Sequence, residues 1–149
     1  MQLAVNIANN MRHEYIMPEH LLMALLRQDD YQTALSRCDV DAMELMNEVT
    51  EWLGKQEQRA DPFAMPMPSA QFSDTLRHAL RYAVEGHYTS LTETAYSAGI
   101  LSLEESQAAY ILGSAVEGDE KFFLDTLDIV FCDETPADNS SIYDSPKQQ

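Results

Sequence analysis

The sequence predicts an all-α domain of two pseudo-twofold-related four-helix repeats packed into one compact body. Three observations carry that expectation. Apolar residues recur at helical spacing while strand signals are scarce. The stretch GKQEQRADPFAMPMPSA breaks the periodicity near the middle of the 149 residues. The pattern after that break repeats the pattern before it when the chain is slid along itself to set Ile16 on Leu91.

Taken in order, Leu3, Ile7 and Met11 with Ala4 and Ala8 form one apolar stripe, so a first helix is expected from near the start to about Glu14. A second helix follows in PEHLLMALLR, with Leu21, Leu22, Leu25 and Leu26 on one face. A short helix around DYQTALSRC and a longer one in DAMELMNEVTEWL complete the first unit; Leu45, Met46, Val49, Trp52 and Leu53 form the stripe of the longer one. Three prolines in close succession then force a loop, because each removes an amide donor and pushes its predecessor out of the α region. Beyond it, YIMPEHLLMALL falls on SLTETAYSAGIL without a gap: Ile16 meets Leu91, Leu21 meets Tyr96, Ala24 meets Gly99 and Leu25 meets Ile100. Ala34 then meets Ala109 and Leu35 meets Tyr110; three extra residues placed near Gly118 bring Met46 onto Leu124, Val49 onto Leu127 and Leu53 onto Phe131. The resulting organisation is a double-repeat domain over 1–133, with repeat one at 1–54, an inter-repeat loop at 55–70 and repeat two at 71–133. A flexible acidic and polar tail is expected over 134–149. One copy alone has too few residues to bury its own apolar faces, so the copies are expected to pack together.

Composition narrows the function. Nine basic residues against 25 acidic ones give a net charge of −16, which repels phosphate backbones and steers in a basic partner. No apolar run approaches the length of a membrane helix and no leader pattern is present, so a soluble, cytoplasmic protein with neither nucleic-acid nor membrane partners is expected. Cys38 and Cys132 lack CxxC spacing and read as small core residues rather than a disulfide or zinc pair.

HEYIMPEHLL, residues 13–22, is the one stretch that invites an enzymatic reading. A zincin places its histidines at i and i+4 of one helix, but Met17 stands at the i+4 position from His13. Pro18 lies between His13 and His20, and a proline inside a helix costs about 3 kcal/mol whereas at the first helical position it costs little. A new helix is therefore expected to start at Pro18. Glu19 then faces its positive end, Ile16 and Leu21 form a hydrophobic staple, and Thr92 caps the equivalent helix in the second copy. No catalytic metal is expected, only adventitious zinc on an exposed His/Glu cluster. A metal-dependent hydrolase using His13, Glu14, Glu19 and His20 is the alternative to test, beside a free-standing helical scaffold or regulatory protein. Gly113 and Gly118 precede Asp119 and Glu120 where a phosphate loop needs Lys and Ser or Thr. His78 and His87 have no clear partner, and no G-x-S-x-G elbow occurs. In the proline-rich loop, Phe63, Met65 and Met67 are candidate exposed anchors.

A doubled four-helix unit with HEYIMPEHLLMALL in its first copy and EESQAAYIL in its second resembles the N-terminal domain of Clp-family AAA+ unfoldases, ClpA type, over about residues 2–132. The resemblance implies a non-catalytic docking domain, tethered to ATPase modules that would carry the ATP, with no cofactor of its own and monomeric in isolation. Its partners would be a ClpS-type adaptor, unfolded or tagged substrates and, through the parent ATPase, the ClpP peptidase. Adaptor contacts carry over to Glu14 and Glu19, with His13, Phe63, Met65, Met67 and Ser69 as the surrounding peptide or adaptor surface. Around Ser69 and Asp74 the match is poorer, the ClpA type having Thr and Arg there.

Overall fold

Side chains that replace missing helical hydrogen bonds mark where the helices start. In the computed structural model, which describes residues 2–61, 63–88 and 91–132, Asp41 accepts from the Met43 amide at 3.0 Å and Ser69 from Phe72 at 3.0 Å. Thr92 accepts from Ala95 at 3.2 Å and Ser106 from Ala109 at 3.0 Å. Such caps are each worth about 1 kcal/mol. They open α4 (Ala42–Gly54), α5 (Ala70–Glu85), α6 (Glu93–Ser102) and α7 (Gln107–Ala115). Before them come α1 (Gln2–Asn10), α2 (Pro18–Leu26) and α3 (Asp29–Arg37), and α8 (Glu120–Cys132) follows. Pro18 is the first residue of α2, with extended Met17 before it, as its missing amide requires.

The first helix ends earlier than its apolar stripe suggests, at Asn10 rather than near Glu14. Arg12 adopts a left-handed backbone with φ of 61°, and the His13 amide turns back to the Ala8 carbonyl at 3.0 Å. This closure consumes the carbonyls that further helix would use. The same device recurs at the equivalent point of repeat two: His87 has φ of 62° and the Tyr88 amide reaches the Ala83 carbonyl at 2.9 Å.

Helix starts fix the register between the copies. Pro18 corresponds to Glu93, and the same offset carried forward would set Asp29 on Glu104. Helix α7 instead begins at Gln107, and α8 keeps that later register against α4, Glu120 corresponding to Ala42. The three extra residues thus fall between the starts of α6 and α7, one in a longer α6 and two in the connection after it, not near Gly118. Ala34 corresponds to Leu112, and Leu35 to Gly113, replacing the pairs Ala34 with Ala109 and Leu35 with Tyr110. Burial agrees, since Leu35 is fully buried whereas Tyr110 is 65% exposed.

At the centre lie α2, buried along its whole length, and α6, which touch each other. A helix apolar on all sides belongs inside a core. Packing between the halves is reciprocal, α3 against α8 and α4 against α7. Tyr31 of α3 joins them: it stands edge-on to Phe123 at 5.8 Å and shares a 2.6 Å hydrogen bond with Ser97 of α6. Cys38 is half-buried against this core. Helix α5 approaches α6 so closely that a Cβ on Gly99 would lie 2.5 Å from the Thr75 carbonyl.

Two short strands, β1 (Tyr15–Ile16) and β2 (Met67–Pro68), pair in parallel with Tyr15 opposite Met67. Pro68 has no amide to give. Its neighbours carry the ladder, Met67 donating to the Glu14 carbonyl at 3.0 Å and Ser69 to Ile16 at 2.9 Å. No helix among the described residues is long and apolar enough to cross a membrane. The Cys132 side chain, Asp133 and the tail expected over 134–149 lie outside the described residues.

Candidate functional site

The corner between α1 and α2, with the inter-repeat loop laid against it, gathers the residues singled out above. The loop is stitched down by Arg59, whose amide donates to the Arg12 carbonyl at 2.7 Å. Its guanidinium reaches the Asn9 side chain at 3.0 Å and the His13 carbonyl at 3.3 Å.

Inside the corner the two imidazoles meet. His13 Nδ1 lies 2.8 Å from His20 Nε2, and both rings are buried. His20 Nδ1 accepts the Met17 amide at 2.9 Å, so the His20 proton sits on Nε2 and is donated to His13 Nδ1. His13 therefore carries its own proton on Nε2. The result is a one-way chain from the Met17 amide through two neutral rings. A further proton on either ring would set N–H against N–H. Burial accordingly lowers the His13 pKa, and burial with the neighbouring His13 lowers that of His20 to about 4. Tyr88 holds the His13 position in repeat two and reaches the fourth helix of its own repeat, donating to Asp128 at 2.7 Å. Thr94 donates to the same carboxylate at 2.8 Å.

Glu19 is turned inward and is only 1% exposed. Its Oε2 accepts the Ala108 amide at 2.8 Å, so it complements the positive end of α7, in the other repeat, as well as the start of its own helix. Burial raises its pKa and the amide contacts at Ala108, its own backbone and Gln107 oppose that rise. Glu19 offers no surface to a partner, contrary to the expectation of an adaptor contact; nor does buried His13. Ser69 spends its hydroxyl on the α5 cap.

What faces outward is different. Glu14 is exposed, Tyr15 and its strand neighbour Met67 are 49% and 63% exposed, and Met65 and Phe63 are 63% and 93% exposed. Parallel pairing puts Tyr15 and Met67 side by side as an exposed apolar ridge, and the exposed Glu14 precedes Tyr15 in the chain. Of the residues expected to share a surface, Glu14, Met65, Met67 and Phe63 are exposed, and Met67 pairs with Tyr15, the chain neighbour of Glu14. Tyr15 is the contributor that periodicity alone did not mark; its place opposite Met67 depends on a pairing between strands far apart in the chain.

Metal-assisted hydrolysis fails on this geometry. It needs His13, Glu14, Glu19 and His20 to converge, whereas Glu14 points to solvent, Glu19 to Ala108, and the imidazoles to each other. Adventitious zinc loses its premise too, since the imidazoles are not exposed. Among the described residues no group of three or more His, Cys, Asp or Glu could hold a metal ion.

Residues 1–115 match the family described as the Clp repeat (R) N-terminal domain. The ClpA homolog protein of Fuscovulum blasticum is 28% identical over 112 residues, which is 73% of this chain but 14% of that relative's length. The chain thus spans about a seventh of the relative it matches. Among solved structures, the Hsp104 N-terminal domain from Candida albicans is similar with a TM-score of 0.67 at 19% identity, covering 97% of this chain and 89% of that one. A chain from preliminary structural investigations of a malarial protein secretion system gives a TM-score of 0.68 at 19% identity, covering 89% and 90%. At that identity the likeness is one of fold.

Proposed function

This chain belongs to the family of Clp repeat (R) N-terminal domains, and from that premise we propose that it is a non-catalytic docking domain of an ATP-dependent Clp unfoldase. In this reading it receives a ClpS-type adaptor or protein substrates in the cytoplasm and hands them to ATPase modules that work with the ClpP peptidase. The observation that supports the reading is the outward ridge of paired Tyr15 and Met67 next to Glu14, with Met65 and Phe63 exposed earlier in the same loop. Exposed aromatic and methionine side chains supply adaptable apolar contact. The carboxylate supplies a charge-assisted hydrogen bond that fixes orientation. Glu14 is the acidic contact retained from the sequence expectation; Glu19 drops out because it is consumed inside the fold.

Calorimetric titration of the folded chain with a ClpS-type adaptor tests the proposal. Saturable heat at tens of micromolar, weakened several-fold by Glu14→Ala and by Met67→Ser with unchanged thermal melting, is the expected result. Absence of heat with both proteins folded refutes adaptor docking. Binding untouched by either substitution removes the ridge from the interface.

A further inference from the structure

Repeat two carries a second surface, far in sequence from that ridge. A groove of about 570 Å³ opens between α6, α7 and α8, within the size range of ligand-binding clefts. Small residues form its floor: Ala98 of α6 with Ala109 and Gly113 of α7. Leu101 and Leu124 wall it, and Tyr110 stands at its edge with most of its ring in solvent. Three carboxylates ring the mouth, Glu104 before α7, Glu117 after it and Glu120 at the start of α8. No basic residue lines it among the described residues. Over residues 91–132 the chain has eight acidic residues and one basic one, Lys121, and Lys121 is paired with Asp125 at 3.4 Å.

We propose that this groove binds a linear basic segment of a partner protein, seating one bulky apolar side chain on the Ala98–Ala109–Gly113 floor while flanking Lys or Arg groups pair with Glu104, Glu117 and Glu120. Charge decides the occupant. A second copy of this chain brings a net charge of −16 and is repelled. The chain's own residues 133–149 contain two large apolar side chains, Ile142 and Tyr143, but with four acidic residues against one lysine they have the wrong sign for this rim. A cationic segment gains from all three carboxylates, and an arginine from the face of Tyr110 as well. The floor is open because Gly113 has no side chain; a Cβ there would meet only Leu101 Cδ2, at 3.7 Å. Longer side chains at position 113 would fill the groove without disturbing the helix pair.

The probe is a short fluorescein-labelled peptide alternating lysine or arginine with leucine and phenylalanine, beside a counterpart with glutamate at every basic position. Anisotropy titration of the full chain is expected to show saturable binding of the basic peptide alone, weakening as salt rises. Gly113→Met preserves every charge and is expected to weaken binding at least about tenfold. Glu104→Gln, Glu117→Gln and Glu120→Gln together are expected to weaken it about tenfold and flatten the salt dependence. Met67→Ser, on the other ridge, leaves it unchanged, so failure here is separable from failure of adaptor docking. Circular dichroism melts confirm that each variant is folded. Equal binding of the acidic peptide, or unchanged affinity in Gly113→Met, overturns the proposal. So does a tenfold gain on replacing Ile142 and Tyr143 by serine, which would make the chain's own segment the occupant, or a dimer that Gly113→Met dissolves.

Discussion

Acidification should act on the buried imidazole chain with a magnitude set by its geometry. His20 has an ordinary pKa of 6.5 when unfolded and about 4 when folded. Between those values the unfolded chain holds a proton that the folded chain refuses, so stability is full above about pH 6.5 and declines as pH falls toward 4. The gap between the two values corresponds to about 3 kcal/mol across that window. His13, also lowered by burial, acts in the same direction. Glu19 acts oppositely. Its raised folded pKa means the folded state takes up a proton first, so its contribution is present at low pH and lost as pH rises through the folded value. Comparing the chain with His20→Gln cancels the Glu19 part, because the substitution leaves the Ala108 contact in place. Urea unfolding at about pH 7.5 and about pH 4.5, followed by circular dichroism, should show about 2–3 kcal/mol more acid loss in the natural chain than in the variant. Nitrogen NMR at about pH 6 should find the His20 ring neutral, with its proton on Nε2. Equal acid losses in two folded proteins, or a charged ring at that pH, would refute the directional chain.

Three further outcomes follow from the packing. Glu19→Ala strands the Ala108 amide in a buried site and should cost about 1–3 kcal/mol in chemical denaturation, with Glu19→Gln recovering part of it; an unchanged midpoint would mean the carboxylate does not cap α7. Gly99→Ala drives a methyl to 2.5 Å from the Thr75 carbonyl and should lower the melting temperature by an amount equivalent to about 1–3 kcal/mol; a rise in melting temperature would show that α5 and α6 are not in close contact. Tyr31→Phe removes the hydroxyl shared with Ser97 while keeping the ring against Phe123, and should cost about 1 kcal/mol or slightly more in urea; no measurable loss would deny the hydrogen bond between the halves.

Local chemistry made the helices readable. Pro18, Asp41 and Thr92 announce their starts because a cap acts within the first turn, and the apolar stripes identify what faces inward. Less accessible were features that depend on turns or on the other repeat. His13 and His20 were separated correctly by the helix break at Pro18, yet the same break folds the chain back and presses the rings together. That reversal rests on left-handed Arg12, a conformation its side chain does not advertise. Glu19 looked like a surface carboxylate because its partner amide lies 89 residues away. The register shift fell at the end of α6, one residue longer than α2, and in the α6–α7 connection, where Leu103–Ser106 replaces Arg27 and Gln28; low identity between the copies allowed Ala34 to be set against the wrong alanine. Tyr15 entered the outer ridge only through a pair of very short strands, which leave no alternating pattern.

The Glu19 carboxylate crossing into α7 means that neither half of the protein is a finished object. A backbone cut near Asp61, in the exposed connection, should leave two fragments that stay largely unstructured apart and regain helical circular dichroism when mixed. Neither copy can then be dropped without cost: the first half holds a carboxylate that meets the opening turn of a helix in the second.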